Sequence, residues 1–156
     1  MKKTLLPFAA ILLLFISHSN CFAQTGKTEK ITPTLNHIAV HVVSLEKSTA
    51  FYQKIVGLDT IPEPFHDGKH TWFQVGPLSH LHLISGVETA VPHDKFNHLC
   101  FTVPSVSTFI ENLKTNNIEF ESWEGKKFDV TLRVDAVHQI YFKDPDGYWI
   151  EVNNAK

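Results

Sequence analysis

Polar and apolar residues alternate along several short stretches of this chain, and such alternation is typical of a strand with one buried face. In FNHLCFTV, residues 96–103, the side chains of Leu99 and Phe101 are expected on one face of the strand. Those of His98 and Cys100 are expected on the other face. The stretch therefore predicts a half-buried strand with a histidine at the start of its polar face.

The same pattern occurs earlier in the chain. The phrase LNHIAVHV carries His37 in the position that His98 holds in the later phrase. A helical pattern follows each phrase, with Ser44 as the expected N-cap and Gly57 as the end of the first helix. Ser105 is the expected N-cap of the second helix, which an Asn-Asn pair ends. The chain is therefore predicted to contain a duplicated module.

Three strand-like runs follow each predicted helix. They are residues 58–61, 70–76 and 80–85 in the first copy and residues 118–124, 138–142 and 148–153 in the second. The segment DPDG predicts a tight turn before the last strand. The predicted fold is therefore α+β, with two βαβββ modules at residues 35–86 and 96–154. Their concave sheets are expected to pair, with the helices on the outer faces.

The beginning of the chain has a different pattern. Two lysines precede the apolar run LLPFAAILLLFI, which is too short to span a bilayer comfortably. Cys21 and Ala23 are small residues that fit cleavage after Ala23, so we predict a signal peptide over residues 1–23 and a flexible tether over residues 24–34. A secreted or periplasmic protein without a membrane span is expected. The alternative is a lipoprotein acylated at Cys21, but SHSNC matches a lipobox poorly.

Composition excludes some classes of function. Hydrophobic residues make up 43% of the chain and charged residues 19%, which suits an ordinary globular core. The formal net charge of -2 shows no basic bias, so a nucleic-acid partner is not expected. After cleavage behind Ala23, Cys100 is the single remaining cysteine, so the mature chain is expected to have no internal disulfide.

The repeat aligns the last strands of the two modules and places His82 opposite Glu151. Both side chains are expected on polar faces, as are those of His37 and His98, and packing around a pseudo-two-fold axis can bring the four together. Three imidazoles and one carboxylate suit one divalent metal ion such as Zn, Ni, Mn, Co or Fe(II). His80, two residues before His82, is a competing ligand. A lone strand histidine is more often solvated or hydrogen-bonded, so the metal interpretation depends on the symmetric recurrence.

Other polar residues near these faces are candidate substrate contacts. Tyr141 and Gln139 face the cavity if the residues that alternate with them face the core. His41 lies on the same predicted face as His37. Arg133 is the only arginine of the chain and can bind an anionic substrate, although a lone arginine is usually a surface charge. The expected partner is a small molecule.

Three stretches resemble the vicinal oxygen chelate superfamily, which includes glyoxalase I, bleomycin-resistance proteins and extradiol dioxygenases. They are NHIAVHVVSLEKSTAFYQKIVGL, FNHLCFTV and FKDPDGYWIEV, and the resemblance covers residues 35–154. It implies paired βαβββ modules whose first and last strands carry metal ligands. By that match His37, His98 and Glu151 are ligands, and relatives of this fold commonly form homodimers.

The position of His82 departs from glyoxalase I, which the second module resembles most. Glyoxalase I has a glutamate there that binds the metal and transfers a proton, whereas this chain reads LHLISGVE. We expect a glyoxalase-like enzyme of lyase or isomerase type, with Glu151 and His82 as catalytic residues. The substrate is expected to chelate the metal through two neighbouring oxygens. The alternatives are an Fe(II) extradiol-type dioxygenase and a non-catalytic, resistance-type binding protein.

Overall fold

The computed structural model describes residues 30–156, and within them Thr34–Lys156 form one compact unit. The predicted signal peptide, residues 1–23, and most of the predicted tether lie outside the described residues. No helix in the described part of the chain is both long enough and apolar enough to cross a bilayer.

Two copies of the same element order follow one another along the chain. The first copy consists of β1 (His37–Val42), α1 (Leu45–Phe51), β2 (Thr60–Ile61), β3 (His70–Gln74) and β4 (His80–Ser85). The second consists of β5 (His98–Thr102), α2 (Val106–Thr115), β6 (Thr131–Leu132), β7 (His138–Lys143) and β8 (Trp149–Asn153). The π-helical segment Tyr52–Val56 extends α1. The predicted α+β fold of two βαβββ modules is confirmed.

Each module forms one four-stranded sheet, with strand orders β1-β4-β3-β2 and β5-β8-β7-β6. The first and last strands of a module are parallel neighbours, while the other neighbours are antiparallel. Ala39 stands opposite His82 in the first sheet, and Cys100 stands opposite Glu151 in the second. The candidate ligands of a module therefore lie on adjacent strands of one sheet.

The helix boundaries follow local signals in the sequence. The Ser44 side chain accepts a hydrogen bond from the Lys47 amide at 3.3 Å, and Ser105 accepts one from the Thr108 amide at 3.2 Å. Each bond satisfies an amide that the first turn of a helix leaves without a partner. Gly57 ends the first helical segment in the left-handed conformation, with a φ of 85°, which glycine adopts without a side-chain clash.

One predicted strand is wrong. Residues 118–124 form no strand, and Glu121 alone among them makes bridges, one of which is to Tyr141 on β7. The chain turns back at Gly125, which has a φ of 84° and donates to the Ser122 carbonyl at 3.0 Å. The run is therefore too short to pair along β7, and β6, later in the chain, forms the edge of this sheet.

The apolar faces of both sheets pack against the helices in one core. Phe51 of α1 contacts Phe142 of β7 with ring centroids 6.3 Å apart, and Phe109 of α2 lies 5.7 Å from the same ring. The Tyr52 ring lies 5.9 Å from Phe73 of β3. Because side chains alternate along a strand, the polar face of each sheet lies on the side away from this core.

Buried hydrogen bonds connect the β7–β8 turn to the first module. Asp146 accepts from the Val43 amide at 2.7 Å and from the Ser48 hydroxyl at 2.5 Å. Asp144 accepts from the Tyr52 hydroxyl at 2.9 Å, and burial raises the pKa of this carboxyl group. The predicted DPDG turn therefore joins the two modules as well as reversing the chain.

Candidate metal site and adjoining cavity

His37 and His82, the first half-site, lie side by side on the polar face of the first sheet. Their rings are stacked, with centroids 4.3 Å apart and an interplanar angle of 9°. On its other side His82 stacks on Trp72 of β3, with centroids 3.9 Å apart and an angle of 3°. Three nearly parallel rings therefore cross this face from β1 to β3.

His82 is the buried member of the first half-site. It is 8% exposed, and its Nε2 atom has no hydrogen-bond partner among residues 30–156. Burial, and then the neighbouring imidazole of His37, lowers the pKa of His82 to about 4, so the ring is neutral near pH 7. Buried polar atoms are almost always paired. A neutral imidazole with a free ring nitrogen is the form in which histidine binds a metal ion.

His98 and Glu151, the second half-site, lie on the polar face of the second sheet. Nε2 of His98 is 3.2 Å from Oε2 of Glu151, which is 6% exposed. Nδ1 of His98 is 2.8 Å from the Lys95 carbonyl oxygen, which can only accept, so Nδ1 carries a proton. In a neutral ring Nε2 then has a lone pair directed at a carboxylate oxygen. The two atoms need a proton or a metal ion between them.

Glu151 is held by two neighbouring side chains. The Tyr141 hydroxyl donates to Oε2 at 2.6 Å, and the Asn153 amide donates to Oε1 at 2.8 Å. Gln139 in turn donates to the Tyr141 oxygen at 2.8 Å. Burial tends to raise the pKa of Glu151, but these hydrogen bonds and His98 outweigh it and leave the pKa below its ordinary value. The carboxylate is therefore ionised at neutral pH.

The four predicted substrate contacts lie in different surroundings. Tyr141 and Gln139 are only 2% and 7% exposed, and both belong to the hydrogen-bond chain of the second half-site. His41 is exposed on β1. Arg133 is exposed and forms an ion pair with Asp135 at 2.7 Å. The structure therefore brings Tyr141 and Gln139 to the candidate site and leaves Arg133 engaged by a neighbour.

The two half-sites remain apart within one chain. Among the described residues, only one group of three or more His, Cys, Asp or Glu side chains has its ligating atoms within 4.8 Å of one another. That group is Glu63, Asp67 and His70, and it contains no member of either half-site. Since each polar face lies away from the shared core, one chain presents two separate half-sites.

The Glu63 group is a feature that the sequence interpretation missed, although Glu63 and Asp67 lie in the loop between β2 and β3 and His70 is the first residue of β3. In the structure these side chains form hydrogen bonds within the loop and with each other. Asp67 Oδ1 is 2.9 Å from Nδ1 of His70, and Glu63 accepts from the amides of Phe65 and His66 at 2.7 and 2.8 Å. The group could hold a cation, but its present bonds show a role in shaping the loop.

A cavity of about 450 Å³ adjoins the first half-site. His37 and His82 line it together with His80, Trp72 and Phe65. The ring of His80, the competing ligand, lies 6.0 Å from that of His82. The volume is within the range of small-molecule sites in proteins.

The fold of paired βαβββ modules, with candidate metal ligands on the first and last strands of each, agrees with the family that the sequence comparison finds. The chain matches the model of the Glyoxalase/Bleomycin resistance protein/Dioxygenase superfamily over residues 34–152, and it belongs to this superfamily. The resemblance found in the sequence is thereby confirmed.

Two curated relatives are enzymes. The chain is 27% identical over 150 residues to lactoylglutathione lyase of Pseudomonas putida, covering 75% of this chain and 82% of the relative. It is 27% identical over 132 residues to the mitochondrial methylmalonyl-CoA epimerase of Homo sapiens, covering 78% of this chain and 73% of the relative.

A solved structure has the same fold. It is a variant of the fosfomycin resistance protein FosX from Listeria monocytogenes, complexed with Mn(II) and 1S,2S-dihydroxypropylphosphonic acid. The TM-score is 0.64 at 24% identity, with 81% of this chain and 93% of the FosX chain covered.

Proposed function

We propose that the protein is a metal-dependent enzyme of lyase or isomerase type, acting on a small substrate with two neighbouring oxygen atoms. The observation that carries this proposal is the His98–Glu151 pair. The two atoms lie 3.2 Å apart and need a proton or a metal ion between them, and a divalent cation bound by both atoms would meet this need. The buried, unpartnered Nε2 of His82 is a further donor suited to the same ion.

The proposed ligand set combines both half-sites, which one chain keeps apart. We therefore infer that His37 and His82 of one chain meet His98 and Glu151 of a second chain in a homodimer. A two-fold axis repeats the contact, so the dimer would have two identical sites. The donor set is compatible with Zn, Ni, Mn, Co or Fe, and the Mn(II) in the FosX complex supports an ion of this kind.

A divalent ion bound there would supply Lewis acidity to the substrate oxygens. The protein itself supplies a proton acceptor, because Glu151 is ionised near pH 7 and keeps one carboxylate oxygen when the other binds the ion. The neutral His82 ring has a single lone pair, so it would accept a proton only if it does not bind the ion. Tyr141 donates to Glu151 and orients the carboxylate. A lyase and an epimerase among the relatives support a reaction of this type.

An Fe(II)-dependent dioxygenase is the second candidate. His37, His98 and Glu151 alone form the two-histidine, one-carboxylate set of non-haem iron oxygenases. In that case His82 lines the pocket without binding the metal. His82→Ala separates the candidates, since metal content falls if His82 is a ligand and is retained if it is not. A non-catalytic binding protein would bind its small molecule without a stoichiometric metal.

Metal analysis of the protein purified without a histidine tag tests the proposal. We expect one divalent ion per chain and its loss in His98→Ala. His138→Ala is the matched control because His138 is an exposed histidine at the start of β7, and it should retain the ion. Circular dichroism verifies that both variants are folded. Absence of stoichiometric metal after exposure to each of the five ions would contradict the proposal.

A further inference from the structure

The cavity beside the first half-site is walled mainly by flat rings. The stack of Trp72, His82 and His37 forms one side. His80 lies 6.1 Å from Trp72 at an interplanar angle of 27°, and Ile84 adds aliphatic surface. Such walls favour a flat apolar occupant, because burial and ring-to-ring contacts both contribute to its binding.

Phe65 extends this wall from the loop between β2 and β3. Its ring lies 6.0 Å from that of Trp72 at 80° and 4.8 Å from that of His70, yet the residue is 60% exposed. Polar bonds fix it there, since Glu63 accepts from the amides of Phe65 and His66. An aromatic ring that is placed by its loop and left open to the cavity is available to an aromatic ligand.

The side chains that line this cavity include no permanent positive charge in the described part of the chain, unlike those of a typical anion site. No lysine or arginine is found among the cavity-lining residues in the described part of the chain. In the second module, Lys95 pairs with Glu121 at 2.5 Å and Arg133 pairs with Asp135 at 2.7 Å. A phosphate or carboxylate placed against Phe65 and Trp72 would lose its hydration without a lysine or arginine side chain of the cavity lining beside it.

We propose that this cavity binds a flat, uncharged aromatic portion of the substrate, in contact with Phe65 and Trp72. The substrate would then be an aromatic compound, and only the pair of oxygens that faces the metal rests on the proposed function. Binding of the ring itself needs no metal. A saturated ring of equal size would gain the burial but not the ring-to-ring contacts.

Calorimetric titration of the purified protein with 2-naphthol tests this inference. Decahydro-2-naphthol and 2-naphthyl phosphate are titrated in the same way for comparison. The second compound has the same carbon skeleton without aromatic rings, and the third is an anion. We expect 2-naphthol to bind most tightly, by roughly 2- to 10-fold over the saturated compound. Phe65→Leu should weaken 2-naphthol binding by a similar factor, and its fold should be unaffected because the position is 60% exposed.

Phe128→Leu is the matched control, since Phe128 is 56% exposed and lies in the second module outside the cavity. It should bind 2-naphthol as the unchanged protein does. Folded His98→Ala should also retain 2-naphthol binding when its metal is lost, so failures of ring binding and metal binding are separate results. Among the compounds, the inference is overturned if 2-naphthol does not bind, if the saturated compound binds equally well, or if the phosphate binds more tightly. Among the variants, it is overturned if Phe65→Leu and Phe128→Leu have equal effects, or if His98→Ala loses 2-naphthol binding.

Discussion

At the scale of single residues, neighbouring groups set the state of three of the candidate ligands, His82, His98 and Glu151. Burial beside Trp72 and His37 keeps His82 neutral. A backbone carbonyl fixes the tautomer of His98, and two side-chain donors keep Glu151 ionised. His82 and Glu151 are therefore held in the states that a metal ion requires, and the Nε2 atom of His98 faces the Glu151 carboxylate.

Tyr141→Phe should weaken metal binding by roughly 10- to 100-fold, because it removes the hydroxyl that donates to Glu151 at 2.6 Å. Tyr148→Phe is the matched control, since the Tyr148 hydroxyl accepts from the His41 amide instead. Competition with a chromophoric chelator measures the affinities. Equal affinities in the two variants would show that Tyr141 does not orient the ligand.

His82 should make the metal-free protein less stable as the solution is acidified. In the unfolded chain its ring takes up a proton near the ordinary pKa of 6.5, whereas in the folded protein the pKa is about 4. Between these values the unfolded state binds more protons, so the free energy of unfolding falls as the pH falls, by roughly 1–3 kcal/mol. His82→Phe keeps a ring between Trp72 and His37 and should lack this part of the pH dependence.

Urea unfolding in the presence of a chelator, repeated across this pH window, measures the difference between the two proteins. As the pH falls, the free energy of unfolding of the unchanged protein should decrease relative to that of His82→Phe. Parallel curves would mean that the folded and unfolded states protonate His82 alike.

At the scale of elements, the β7–β8 turn combines a local and a long-range role. Gly147 has a φ of 88° and donates to the Asp144 carbonyl at 3.1 Å, as expected for a DPDG turn. The carboxylates of Asp144 and Asp146 reach the first module at Tyr52 and Ser48. The turn is therefore expected to stabilise the contact between the modules.

Asp146→Ala should lower the free energy of unfolding by about 2–4 kcal/mol, because it leaves the Val43 amide and the Ser48 hydroxyl without their buried acceptor. Asp135→Ala removes only the exposed partner of Arg133 and should cost about 0.5 kcal/mol or less. Urea unfolding followed by circular dichroism measures both. Losses of the same small size in the two variants would show that the turn does not join the modules energetically.

At the scale of the whole molecule, one shared core separates two polar faces. The helices pack against the apolar sides of both sheets, as the contact between Phe51 and Phe142 shows. A chain of this shape is expected to complete the proposed metal site only by pairing with a second copy.

Mixed dimers test this expectation. His37→Ala and His98→Ala are each expected to lack metal, but they damage different half-sites. After subunit exchange, each mixed dimer would contain one intact site, so about a quarter of all sites should regain metal. His37→Ala mixed with His82→Ala is the matched control, because both changes lie in the same half-site and no intact site can form.

Metal analysis together with light scattering reads out this experiment. Recovery in the first mixture alone supports a site between two chains. Dimers without recovery in either mixture would contradict the shared site, and a protein that stays monomeric at micromolar concentration would contradict the homodimer.

The sequence by itself determined the modules and the faces of their strands. The alternation in FNHLCFTV and in its repeat is a local property with a period of two, and it placed His37 and His98 on polar faces. The caps at Ser44 and Ser105 and the left-handed Gly57 act within one helical turn, so they too were predictable. Residues 118–124 had the strand period but not the pairing, because the turn at Gly125 follows too soon.

Only the tertiary structure decided which side chains meet. The separation of the half-sites depends on contacts such as that between Ser48 and Asp146, which are 98 positions apart in the chain. Alternation predicted the face of Tyr141 but not its bond to Glu151, and no period predicted that Phe65 lies at the cavity. The physical reason is that periodicity specifies the side of an element on which a residue lies, whereas the packing of two modules depends on how their apolar surfaces fit together.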